Sequence, residues 1–394
     1  MKKTIGVGTF NLGKNGKKYV NKVLDSRRLS YGSFTKSFEK KFADSHGCKF
    51  GIMSNSGTSA LHIAVQGLKE IHNWKNNDEV IVPAVTFVAT SNVLIHNNLK
   101  PVFVDVDKDY YEINPDLIER KITKRTRAIM PVHLFGQPCD MNPILKISRK
   151  NRLKVIEDSC ETMFANYYTK RTGSFGDISC FSTYVAHLVT TGVGGINTTN
   201  NTRYAIMLRS LMNHGRDSIY LNIDDSKVKS KKKFREVISK RFRFVHVGHS
   251  FRVSEMEAAL GLAQMENWKD MIQKRRRNAK YLTENLSKFD NIIQLPKIRP
   301  GSEHSFMMYP IVFKNKKKRK YVDYLESKGI ETRDMFPLIT QPIYKTVYKI
   351  KESDFPVASW INKNGFYIGC HQNLSTGDLD YIIGVFSEML KKFK

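Results

Sequence analysis

Five short apolar runs, at residues 79–82, 101–106, 127–132, 154–157 and 178–181, are bounded by turn residues, with helical periodicity between several of them. That alternation predicts an α/β architecture, a mainly parallel sheet covered by helices. Leu61, Ala64, Val65 and Leu68 fall at helical spacing after Ser56-Gly57-Thr58, so a helix is expected to begin at that loop. The pattern changes in the last third of the chain. A long helical stretch is expected from residue 254 to about 286, then strands at 307–313 and 330–333, a helix at 321–327 and a closing amphipathic helix at 379–392. With 394 residues and 41% apolar content, there is material for two or three domains of roughly 100–200 residues. The expected division is a large domain over 1–255 and a smaller α+β domain over 256–394.

Several classes of protein are disfavoured by composition. No apolar run approaches the roughly 18–20 residues that cross a bilayer, and the first residues lack the apolar core of a signal peptide. A cytoplasmic protein with no membrane partner is expected. The five cysteines, Cys48, Cys139, Cys160, Cys180 and Cys370, have neither paired nor metal-ligand spacing and read as reduced thiols, with no metal site expected. The net charge of +28 is concentrated at 227–243, at 314–320 and at Lys391, Lys392 and Lys394. These runs carry no nucleic-acid motif and read as solvated faces, with no nucleic-acid partner expected. Their field still favours an anionic substrate.

Two segments carry chemistry on their own terms. Ser56-Gly57-Thr58-Ser59 offers close-approaching backbone and unpaired N–H groups at a helix start, a place for phosphate, although such a start is most often just a cap. Val155-Ile156-Glu157-Asp158 ends a strand in a carboxylate at the sheet edge where open α/β sheets bind ligands. Glu157 beside it reads as solvated.

The stretch Phe181-Ser182-Thr183-Tyr184-Val185-Ala186-His187, running on to Gly192-Val193-Gly194-Gly195, resembles the cofactor-anchoring segment of the DegT/DnrJ/EryC1/StrS sugar aminotransferases. The resemblance extends roughly from Asn11 to His371 and includes 83–90, 209–216, 248–252 and 257–264. It implies a fold-type I transferase that uses pyridoxal 5'-phosphate or pyridoxamine 5'-phosphate. On this resemblance Gly57, Thr58, Ser59 and Ser182 contact the cofactor phosphate, Phe87 covers its ring, Asp158 holds the pyridine nitrogen protonated and Glu161 lies near the cofactor. Ser250 stands where the family has an asparagine that reaches a neighbouring subunit's phosphate, so a homodimer or higher homo-oligomer is implied. Glu161 replaces a glutamine, and Val193 replaces a glutamate. His214, Arg216, Arg252 and Arg333 are the substrate-binding candidates, each arginine being equally open to a surface ion pair.

His187 occupies the position of the family's lysine. That lysine bonds covalently to the cofactor aldehyde, which imidazole cannot do. The histidine-bearing branch that this chain resembles consists of nucleotide-sugar 3-dehydratases. The implied activity is removal of the C3 hydroxyl from a nucleotide-linked 4-keto-6-deoxy sugar, with His187 moving protons and L-glutamate as amino donor. A noncatalytic sugar binder, an aminotransferase altered at its lysine and a nucleic-acid binder are the alternatives.

Overall fold

The computed structural model describes residues 4–217, 230–240, 242–314 and 318–393. Parts of the two central basic runs, namely 227–229, 241 and 315–317, and Lys394 lie outside the described residues. The larger of the two main sheets has seven strands: β1 (Phe50–Ser54), β2 (Glu79–Pro83), β3 (Lys100–Val104), β4 (Thr126–Ile129), β5 (Lys154–Asp158), β6 (Ile178–Ser182) and β7 (Gly195–Thr199). Their order is β1-β7-β6-β5-β4-β2-β3. The pairs from β3 through β6 are parallel, while β7 runs antiparallel to both its neighbours. The mainly parallel α/β sheet read from the sequence is therefore present.

Helix Gly57–Ile71 follows β1 after a two-residue loop and buries ten of its residues, including Leu61, Ala64, Val65 and Leu68. At its N-terminus the Ser56 side chain accepts from the Ser59 N–H at 3.0 Å, a cap that fixes where the helix starts. Helix Val88–His96 similarly begins just beyond β2, with Phe87 as its first flanking residue. Both starts lie at the carboxyl edge of the sheet, beside the ends of β5 and β6.

A second, four-stranded antiparallel sheet contains β8 (Ile293–Gln294), β9 (Tyr309–Phe313), β10 (Thr332–Asp334) and β11 (Gly365–Ile368), in the order β8-β9-β11-β10. Its core joins Ile311, Phe313, Phe366 and Ile368 to Leu282 and Leu286 of helix Trp268–Leu286 and to Phe386 and Met389 of helix Thr376–Lys392. The beginning of the chain belongs to this core as well. Ile5 forms a parallel bridge with Ile330, and the Val7 N–H donates to Glu331 Oε2 at 2.8 Å.

The expected continuous helix from 254 to about 286 is corrected to two helices, Glu255–Gln264 and Trp268–Leu286. Their packing partners differ. The first lies on helices Gly16–Asp25 and Ser33–Ser45, whereas the second turns away to pack on Thr376–Lys392. Trp268 stacks on Phe164 at 4.4 Å where the path changes. A second correction concerns Glu157, which is fully buried: it accepts from the N–H groups of Gly173, Phe175 and Gly176 and contacts His133.

Candidate active site

One cavity, of about 370 Å3, lies where the carboxyl ends of β1, β2, β5 and β6 meet the second sheet. Gly57, Thr58, Phe87, Asp158, Glu161, Ser182 and His187 all line it. Seven residues from four separate stretches of the chain thus converge on one space.

Each is placed by its element. Gly57 and Thr58 are the first residues of their helix, where N–H groups have no acceptor within the helix. Ser182, at the end of β6, approaches this helix start so closely that a Cβ on Gly57 would stand 2.7 Å from its own Cβ. Backbone donors, the positive end of a helix dipole and one hydroxyl therefore share a corner, which suits a phosphate. Phe87 stands at the mouth with 60% of its surface exposed, its ring edge-on to Phe336 at 6.3 Å. It is free to cover a flat ligand.

Asp158 closes the inner end. Its Oδ2 accepts from Thr90 Oγ1 at 2.7 Å and its Oδ1 from the Cys160 N–H at 3.2 Å. Burial raises the carboxyl above its ordinary range, while the bonds from Thr90 and Cys160 pull it back. A protonated ring nitrogen is the partner such a buried carboxylate lacks. Glu161, three residues on, accepts from the Phe135 N–H at 3.0 Å through Oε2. Burial, reinforced by the nearby Asp158 charge, pushes its carboxyl up to about 8.

His187 follows β6 on a turn held by its own N–H to the Tyr184 carbonyl at 2.9 Å. Its Nδ1 is buried and has no hydrogen-bond partner among the described residues. Burial lowers the imidazole to about 4, against a smaller opposing effect of the Cys160 backbone, so at neutral pH the ring is uncharged and able to accept a proton. No lysine or arginine lines the cavity among the described residues. An orphaned imidazole nitrogen, a phosphate corner, an aromatic cover and a buried carboxylate together fit a phosphorylated pyridine held without a covalent tether.

The remaining candidates lie elsewhere. Ser59 is turned into the helix cap, its hydroxyl 2.9 Å from that of Ser56. Ser250, His214 and Arg252 form an exposed cluster in which Arg252 Nη2 reaches Ser250 Oγ at 3.0 Å and His214 Nε2 at 3.1 Å. Arg216 lies over the rings of Phe242 and Phe244, and Arg333 pairs with Glu331. None of these residues lines the cavity. Sequence reasoning in turn missed Thr90, although its spacing of four from Thr86 was visible, and the two hydroxyls are 2.7 Å apart. It also missed Met307, Met308, Phe336 and Tyr367, which form the wall contributed by the second sheet and its flanking loops.

The chain is similar to known proteins over nearly its whole length. The GDP-perosamine synthase of Caulobacter vibrioides is 33% identical over 391 residues, 98% of each chain. A GDP-4-keto-6-deoxy-D-mannose 3-dehydratase of Escherichia coli is 31% identical over 377 residues, 93% of this chain and 95% of that one. The solved structure of an E. coli enzyme of that name, with bound hydrated pyridoxal phosphate, superposes with a TM-score of 0.85 and 27% identity, covering 98% of this chain and 99% of the other. The architecture is thus that of the pyridoxal-phosphate-dependent aminotransferases. With residues 11–387 matched, the chain belongs to the DegT/DnrJ/EryC1/StrS aminotransferase family.

Proposed function

We propose that this protein is a nucleotide-sugar 3-dehydratase, removing the C3 hydroxyl of a nucleotide-linked 4-keto-6-deoxy sugar. The cofactor is pyridoxal phosphate, used as its pyridoxamine form and regenerated from glutamate. When bound it supplies an amine to capture the C4 keto group and a ring that accepts electrons. The relatives include an aminotransferase-type synthase and a dehydratase at nearly equal identity, so overall similarity does not choose between the two. One observation carries the choice: the cavity presents the imidazole of His187 and, among the described residues, no lysine.

Each residue then has a task. Gly57, Thr58 and Ser182 hold the phosphate, with Ser59 keeping the helix start in place. Phe87 covers the ring. Asp158 keeps the pyridine nitrogen protonated, its position fixed by Thr90. His187 takes the proton from the cofactor carbon next to the captured nitrogen. Ser250, His214, Arg216, Arg252 and Arg333 lie outside the cavity, and their proposed roles concern the anionic nucleotide or the site of a second subunit in a homodimer. The large domain over 1–255 and the smaller one over 256–394 are proposed with this reading.

The experiment supplies purified protein with pyridoxal phosphate, glutamate and a set of GDP- and dTDP-linked 4-keto-6-deoxy sugars. Release of ammonia and 2-oxoglutarate with loss of one oxygen by mass spectrometry is the expected result. An amino sugar as the product would overturn it, and ligand binding without turnover would favour a sugar-binding protein.

A further inference from the structure

An elimination of this kind moves protons at two places. One leaves the carbon next to the captured nitrogen, and one must reach the oxygen departing from C3. A single imidazole would have to carry the same proton between those atoms. The cavity holds a second group suited to the other half of the task.

We propose that Glu161 is the acid that protonates the departing C3 oxygen while His187 acts as the base, an assignment that rests on the dehydratase reading above. Both side chains line the cavity, but they enter it from different loops, Glu161 beyond β5 and His187 beyond β6. One oxygen of Glu161 is anchored by the Phe135 N–H. No hydrogen bond holds the other among the described residues. The groups near it are Asp158 and Cys160 from its own loop and Tyr367 of β11, whose ring packs against Phe135 and Phe336, while His187 lines the same cavity. Among the described residues no cation lines the cavity wall, and the Phe135 N–H offsets a charge on this carboxyl less than burial opposes it.

The titration directions agree with the division of labour. Burial raises Glu161 to about 8 and lowers His187 to about 4. Near pH 7 the carboxyl holds a proton and the imidazole holds none. Two groups of one cavity whose environments drive them apart in this way mark an acid and a base. The step balances without oxidant or reductant. His187 gains the proton, and the electron pair of the broken C–H bond is relayed to the sugar, where a C3–C4 double bond forms as the C3–O bond breaks. The oxygen leaves with its bonding pair, takes the Glu161 proton and departs as water. A proton passed from His187 to Glu161 through solvent resets both.

Glu161→Gln tests the assignment, because an amide keeps the size and the hydrogen-bonding reach but has no proton to give. Expected is a fall in dehydration of about 100-fold or more, with solvent hydrogen exchange at the cofactor carbon and conversion of glutamate to 2-oxoglutarate retained. The wild-type rate should decline above about pH 8, a limb absent from the residual activity of Glu161→Gln and kept by Glu161→Asp. Infrared titration of the cofactor-free protein should show a carboxylic acid band that disappears over the same range and is missing from Glu161→Gln. Dehydration that survives Glu161→Gln, or a wild-type carboxyl already ionised at pH 6, overturns the assignment alone. Wild-type protein that delivers an amino group instead of losing oxygen overturns the dehydratase reading and the assignment together.

Discussion

A methyl group on Gly57 would stand 2.7 Å from Cβ of Ser182 and 3.2 Å from Sγ of Cys160, so the helix start reaches the end of β6 only because residue 57 has no side chain. Gly57→Ala should push these elements apart, at about 1–3 kcal/mol, and open the phosphate corner. Titration with pyridoxal phosphate, followed by absorbance, is expected to show weaker binding, and unchanged affinity would count against the phosphate site. Gly57 and Asp158 were legible as cavity residues because a helix start and a strand end carry their own local pattern, and Ser182 and His187 because their contiguous segment resembles a family's. Tyr367 and Met307 were not, because only tertiary packing brings the second sheet over the first. Glu157 was misjudged for a related reason. Its solvation is replaced by three backbone N–H groups from a turn more than fifteen residues away, and nothing in the local sequence announces that turn.

At the scale of elements, Glu255 does two things at once. It opens helix Glu255–Gln264 and, nearly fully buried, accepts from the N–H groups of Gly32, Phe34 and Thr35 at 2.6, 2.9 and 3.0 Å. It therefore caps helix Ser33–Ser45 from outside, with its charge at the positive end of that helix. Glu255→Ala should lower the unfolding free energy by about 2–4 kcal/mol, since buried donors lose their acceptor, and urea titration at pH 7 reads the loss. A change below 0.5 kcal/mol, the range of ordinary surface substitutions, would contradict the capping role. The parallel strands β2 to β6 were visible as apolar runs. β7 was not, because its sequence Gly-Ile-Asn-Thr-Thr is mostly polar yet wholly buried. Asn197 donates to the Ala60 carbonyl, Thr198 to that of Gly173 and Thr199 to that of Asp177, so the side-chain donors of this strand are satisfied internally and it shows no apolar periodicity.

For the whole molecule, buried titratable groups set how stability responds to pH. Burial holds His46 and His304 down to about 3 and His187 down to about 4, against an ordinary value of 6.5. Below pH 6.5 the unfolded chain takes up protons that the folded chain refuses, so stability falls on acidification by roughly 1.4 kcal/mol per pH unit for each such group. Glu161 acts in the opposite sense. Raised from 4.5 to about 8, it keeps a proton that the unfolded chain releases, and stability falls as pH rises across that window. His62 and His371, also held down to about 4 by burial, join these imidazoles, and Glu112, pushed up to about 8 by burial, joins Glu161, so five imidazoles outweigh two carboxyls below 6.5 and the carboxyls act above it. The urea midpoint of the cofactor-free protein should therefore peak near pH 6.5, and a continuous rise to pH 8 would refute this balance. The net charge of +28 adds a separate expectation: half-saturation by a nucleotide-diphosphate sugar should move to higher concentration as salt is added.

The bridge between Ile5 and Ile330 also bears on how the polypeptide is made. Synthesis is vectorial, so the segment around Ile5 waits for its mate until more than three hundred further residues have been translated. Throughout that interval a nascent chain carries an unsatisfied edge, and its second core cannot close until elongation has passed Ile330.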